Sequence, residues 1–125
     1  MVDPYGMAII GIDHVQVAAP PGCEAAARAF YYELLGLDEL TKPEPLRARG
    51  GCWFRVGEQE LHIGVEEPFT PARKAHPGLV VADLAALEAR LRAAGYEPRV
   101  DDSLPGTARS HVYDPFGNRL ELRQA

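Results

Sequence analysis

Asp114-Pro115-Phe116-Gly117-Asn118-Arg119-Leu120-Glu121-Leu122 is the stretch from which the rest of this chain is read. Proline lacks a backbone donor and restricts the residue before it, so Asp114-Pro115 ends a strand. Phe116-Gly117-Asn118 makes a tight turn, with Gly or Asn able to take positive φ. From Arg119 to Arg123 polar and apolar residues alternate, with Arg119, Glu121 and Arg123 on one face and Leu120 and Leu122 on the other. Glu121 therefore sits in mid-strand, away from the leucines. A lone glutamate on a half-exposed strand is ordinarily just solvated. It gains chemical interest only if other ligand-type side chains converge on it.

Working back through the chain, the same punctuation appears twice. Ile9 to Ala18 reads as a strand, with Ile12, His14 and Gln16 on one face and Val15 and Val17 on the other. Ala25 to Leu35 reads as a helix with Ala27, Phe30, Tyr31, Leu34 and Leu35 on one stripe, stopped by Gly36. Leu46 to Arg49 is a short strand after Pro43-Glu44-Pro45. Gly51 to Val56 and Glu60 to Val65 form a hairpin about Gly57-Glu58. Glu66 to Ala75 is a polar linker, and then the order begins again. His76 to Val81 is a strand. Leu84 to Ala94 is a helix capped by Asp83, with Leu84, Leu87, Leu91 and Ala94 inward and Gly95 as its stop. Arg99-Val100, Thr107 to Tyr113 and Arg119 to Arg123 are strands.

The repeat is one of element order: strand, helix, three strands, twice. Each half has one helix, which covers the aliphatic side of its strands. The other side carries His14, Gln16, Trp53, Arg55, His62, His76, Arg109, His111, Tyr113 and Glu121. A sheet face that polar is either wet or curved around a site.

The bulk numbers narrow the choices. A chain of 125 residues, 46% hydrophobic and 25% charged, has the make-up of an ordinary globular domain. A net charge of -5 argues against unaided nucleic-acid binding. No apolar run approaches the length of a membrane span. Met1 to Met7 lacks the pattern of a secretory signal. Two cysteines, Cys23 and Cys52, are no disulfide framework, and a reducing cytoplasm is the expected location.

Overlaying the halves by role matches His14 with His76, and Leu61-His62-Ile63 with Leu120-Glu121-Leu122. The set His14, His62, His76 and Glu121 offers imidazole nitrogen and carboxylate oxygen. Such donors suit zinc, nickel, manganese, cobalt or ferrous iron. His111, Gln16 and Tyr113 stand ready to hold substrate or relay protons, and Arg47, Arg49, Arg55 and Arg109 to attract a carboxylate or phosphate.

Five segments carry a resemblance. They are Asp13-His14-Val15, Phe30-Tyr31-x-x-Leu34-Leu35-Gly36-Leu37, Glu60-Leu61-His62, His76 before Val80-x-x-Asp83-Leu84, and Asp114-Pro115-x-Gly117-Asn118-x-Leu120-Glu121. Together, from Ile10 to Gln124, the chain resembles the vicinal oxygen chelate superfamily. Its members include glyoxalase I, extradiol dioxygenases, methylmalonyl-CoA epimerase, fosfomycin resistance enzymes and bleomycin resistance proteins. The resemblance implies an α+β fold of two βαβββ modules, about 9–66 and 75–124, in a single glyoxalase-like domain over 1–125. These would form a cupped mixed sheet around a divalent metal, with helices on the outer face, often in a homodimer. His14, His76 and Glu121 match the three positions most regularly used as ligands. His62 falls at the fourth, where glyoxalase I carries a glutamate that also acts as base, and Glu60 on the same face is the reserve candidate.

The implied activity is that of a metal-dependent lyase, isomerase or dioxygenase acting on a small oxygen-chelating substrate. Site roles then fall to His62 and His111 for catalysis and to Gln16, Trp53, Arg55, Arg109 and Tyr113 for substrate. The alternative is a binding protein of the bleomycin-resistance kind, which sequesters a drug or metabolite without chemistry. Neither reading implies a nucleic-acid or membrane partner.

Overall fold

Period-two patterning carries through into eight strands, arranged as two four-stranded sheets in a computed structural model that describes residues 6 and 8–125. The expectation that Met1 to Met7 holds no secretory signal concerns mostly residues outside those described. The elements are β1 (His14–Ala19), α1 (Glu24–Ala27, continuing as a π-helical turn over Arg28–Leu34), β2 (Glu39–Leu40), α2 (Glu44–Arg47), β3 (Cys52–Val56) and β4 (Gln59–Val65), then β5 (Gly78–Val81), α3 (Leu84–Ala93), β6 (Arg99–Val100), β7 (Arg109–Tyr113) and β8 (Arg119–Gln124). The sheet orders are β1-β4-β3-β2 and β5-β8-β7-β6. In each the first strand runs parallel to the last and the remaining pairs are antiparallel. These are two βαβββ modules of an α+β fold.

Aliphatic faces and helices share one core. Phe54, Leu61 and Ile63 meet Ala27, Phe30 and Tyr31 in the first module, and Val112, Leu120 and Leu122 meet Leu84, Leu87 and Leu91 in the second. The adjacent rings of Phe30 and Tyr31 are both fully buried. In an α-helix neighbouring side chains diverge by roughly 100°. The wider winding here, with Leu35 N–H donating to Phe30 O at 2.9 Å, accommodates both rings. Asp83 caps α3 as expected, its Oδ1 accepting from Ala86 N–H at 3.1 Å. Gly51 is demanded by packing as well as by φ +85°, since a Cβ there would stand 2.1 Å from the Ile63 carbonyl oxygen.

Several expectations change. Leu46 to Arg49 is no strand; Glu44–Arg47 is a helical turn, because Pro45 falls in its first turn, where a missing N–H costs nothing. Glu39–Leu40 is a strand with no signal in the sequence, formed by pairing with Phe54 and Trp53. The first strand begins at His14 rather than Ile9. His14 already pairs with Glu60 near the start of β4, so earlier residues have no partner strand, and Ile9, Ile10 and Ile12 are exposed. Ala94 is exposed, lying just past the end of α3.

The quoted stretch ties the modules together. Asp114 is buried, and its carboxylate accepts from Phe116 N–H (2.9 Å), Asn118 N–H (2.8 Å), Asn118 Nδ2 (2.9 Å) and the Tyr31 hydroxyl (2.6 Å). Asn118 Nδ2 also donates to the Ala18 carbonyl at 2.7 Å, so both α1 and β1 are bound to the turn before β8. Gly117 closes that turn at φ +89°.

Candidate metal centre

The polar faces of the two sheets hold two separate groups of ligand-type side chains. On the first sheet the rings of His14, His62 and Trp53 form a ladder. His14 stacks on His62 at 4.2 Å between centroids and His62 on Trp53 at 3.9 Å, both nearly parallel. Cross-strand register causes this, since His62 lies opposite Trp53 on β3 and opposite Gln16 on β1. His62 is buried, and its Nε2 meets Glu60 Oε1 at 2.9 Å. His14 is more open, with Nδ1 2.9 Å from Asp13 Oδ2. Arg55 shares the face, opposite Glu60. Gly64 leaves room for Gln16: a Cβ there would meet the glutamine amide at 2.6 Å.

On the second sheet His76, His111 and Glu121 converge, each offering a ligand atom within 4.8 Å of the others. Pairing of β7 with β8 sets His111 directly opposite Glu121. His76 Nε2 lies 3.5 Å from Glu121 Oε1, and Arg109 Nη1 donates to the same oxygen at 3.2 Å. Burial pushes the Glu121 carboxyl up, but the contacts with His76 and Arg109 outweigh it and hold it below its ordinary range. Tyr113 shares this face, exposed, opposite Arg119.

Register corrects the overlay of the halves. Glu60 N–H donates to Asp13 O and Glu121 N–H donates to Pro77 O, so Glu60 and Glu121 occupy equivalent places. His14 then corresponds to Gly78 and His62 to Arg123. The second module's parallel strand starts at Gly78, and His76 lies two residues outside it. With no side chain at Gly78, the His76 ring reaches Glu121 from there. His76 stands at the seam of the modules. It lines one cavity of about 500 Å³ with Gln16, Asn118 and Arg119, and another of about 400 Å³ with Glu60 and Gly78.

Asp101 and Ser103 belong to this site, although nothing singled them out in the sequence. Asp101 Oδ2 meets His111 Nε2 at 2.9 Å and Arg109 Nη2 at 3.0 Å. Hydrogen bonds from the Ser103 hydroxyl and amide, then from His111, hold the Asp101 carboxyl well below the carboxylate range. No local signal marks them, since Asp101 comes beside His111 only through the pairing of Arg99 on β6 with His111 on β7.

Two imidazoles and a carboxylate are donors that fit a divalent first-row ion. The Glyoxalase/Bleomycin resistance protein/Dioxygenase superfamily model matches residues 11–122. The chain belongs to that superfamily. A glyoxalase family protein from Bacillus anthracis is 52% identical, superposes with a TM-score of 0.91, and is covered over 97% of its length by 94% of this chain. A lactoylglutathione lyase from Agrobacterium tumefaciens is similar in fold, at 20% identity and TM-score 0.72, over 95% of this chain and 96% of its own. An antibiotic binding protein from Streptomyces sp. CB03234 is similar in fold too, at 24% identity and TM-score 0.74, over 94% of this chain and 98% of its own. No curated protein matches. Enzymes and binders thus share this fold. Among the described residues no helix is long and apolar enough to cross a membrane.

Proposed function

We propose that this superfamily member is a metal-dependent enzyme of the glyoxalase/dioxygenase type, acting on a small substrate that presents two oxygens. The observation that carries the reading is the His76, His111 and Glu121 cluster. Its His76 stands at the seam between modules and lines cavities large enough for a small molecule. A divalent ion held there would supply Lewis-acid stabilisation of charge developing on substrate oxygen.

The chain's own residues supply the rest. His76 and Glu121 would hold the ion, with His14 and either His62 or Glu60 as the first module's ligands. Register favours Glu60, because it stands where Glu121 stands in the other module. His62, with Nε2 tied to Glu60, is then the group placed to move a proton. Arg109 beside Glu121 and Arg55 beside Glu60 suit an anionic substrate group. Gln16, Trp53 and Tyr113 complete the walls. A homodimer in the cytoplasm is the proposed working form. Twofold assemblies are the commonest oligomers, and the exposed Ile9, Ile10, Ile12 and Val80 offer apolar surface for one.

Elemental analysis of protein purified without oxygen tests the reading. Stoichiometric divalent metal, lost in Glu121→Ala, is expected. Metal-free protein that binds bulky aromatic drugs tightly would overturn it in favour of a sequestering binder, for which the ring ladder of His14, His62 and Trp53 would be the seat.

A further inference from the structure

We propose that His111 is itself a metal ligand, binding through Nδ1, and that Asp101 is the positioning residue that keeps this nitrogen free. The proposal rests on the metal-dependent reading and deepens it, by naming the donor atom of His111 and the residue that sets its tautomer.

Hydrogen positions follow from the partners. The Asp101 carboxylate accepts from Ser103 N–H (3.0 Å), Ser103 Oγ (2.6 Å) and Arg109 Nη2 (3.0 Å). It acts throughout as an acceptor, so His111 Nε2, 2.9 Å away, carries the hydrogen. In the neutral ring Nδ1 then bears a bare lone pair. That nitrogen is buried and meets no donor among the described residues. An unsatisfied buried acceptor is costly, and native structures seldom keep one without a use. With Nε2 engaged by Asp101, Nδ1 is the nitrogen left to offer the cluster of His76 and Glu121.

His76 faces the same cluster. Its Nδ1 lies 2.7 Å from the Lys74 carbonyl, which only accepts, and 3.0 Å from Arg119 Nη2, which only donates. Its Nε2 faces Glu121 Oε1 at 3.5 Å. For His111, the carboxylate behind Nε2 is the kind of outer partner that orients a ligating histidine.

Two measurements decide the matter. The first is zinc affinity, by competition with a chromophoric chelator, for wild type, His111→Gln and Asp101→Asn. Asp101→Asn should bind roughly 10- to 100-fold more weakly, the usual cost of losing an outer partner, and His111→Gln at least as weakly. The second needs no variant. Nitrogen-15 spectra of the metal-free wild type should show His111 protonated at Nε2 and bare at Nδ1, and zinc should shift the Nδ1 resonance. Wild type that takes up no zinc, cobalt, nickel, manganese or ferrous iron would overturn the metal reading itself. Wild type that binds zinc while both variants bind as tightly, or while only the Nε2 resonance moves, would overturn the role of His111 alone.

Discussion

Removing one oxygen atom, in Tyr31→Phe, should weaken the whole domain and leave the polar faces intact. The Tyr31 hydroxyl donates to Asp114 Oδ2 at 2.6 Å, with both residues buried. The ring packs against Phe30 and Phe54, so phenylalanine keeps its packing. What is lost is a hydrogen bond to an ionised acceptor, about 1.5–3 kcal/mol. Asp114 Oδ2 keeps its bond from Asn118 Nδ2, which places the expected loss within that range rather than above it. For a chain of this size the midpoint of thermal unfolding should fall by roughly 5–12 °C. Metal content should not change, because Tyr31 lies on the core side while Glu121 points from the opposite face of β8. The pH dependence carries a sign. Burial, then the charge and hydrogen bond of Asp114, raise the Tyr31 phenol well above its ordinary range. Above about pH 10 the unfolded phenol ionises while the folded one keeps its proton, so the native state binds more protons. This part of the stability is whole below that pH and is lost as pH rises toward the folded value, by up to about 1.4 kcal/mol per pH unit. Thermal melts and urea titrations of wild type and Tyr31→Phe at pH 8, 9, 10 and 11 would read both effects. A midpoint shift below about 1 °C, or alkaline sensitivity unchanged by the substitution, would refute the assignment of this bond as a clamp between modules.

Gly51→Ala should be far worse, on the order of 3 kcal/mol or more, since its Cβ would lie 2.1 Å from the Ile63 carbonyl oxygen at positive φ; denaturant midpoints or loss of soluble protein check this. Burial, helped by Glu24, pushes the Cys23 thiol up to about 11, and burial raises that of Cys52. Neither should react with a thiol reagent at pH 8 until the protein is unfolded, when both should react. Asp83→Ala removes the cap of α3 and should cost about 1 kcal/mol, read from the same urea titrations.

What could be read in advance was whatever depends on neighbours in the chain. Alternation placed Leu120 and Leu122 inward and Glu121 outward, and Asp83 announced its helix. The turn at Asp114 to Asn118 was legible as a turn. Its clamp was not, because Tyr31 and Ala18 lie far away in sequence. Glu39–Leu40 is a strand only because β3 offers it partners, and Pro45 could be read as a break or a helix start with equal right. Register across a parallel pair is set by contacts between distant strands. For that reason His62 was matched with Glu121, while the hydrogen bonds match Glu60 with it. Asp101 was silent for a similar reason: its role exists only once β6 lies beside β7.

The site inherits its precision from the core. Side chains alternate along β8, so Glu121 faces His111 only while Leu120 and Leu122 fill the other side. A slip of one residue would turn both leucines to water and drive Glu121 inward, losing several kcal/mol of apolar burial at about 25 cal/mol per Å² as well as burying a charge. The turn before β8 sets where that strand begins, and Asp114 holds the turn through the Asn118 amide, the Phe116 amide and Tyr31. The residues that position Glu121 most strictly are therefore ones that touch no substrate. Tyr31→Phe, which leaves the Asn118 and Phe116 bonds to Asp114 in place, should lower stability and leave metal affinity intact, whereas Asp101→Asn should do the reverse. That opposite pattern separates the two faces of a single sheet.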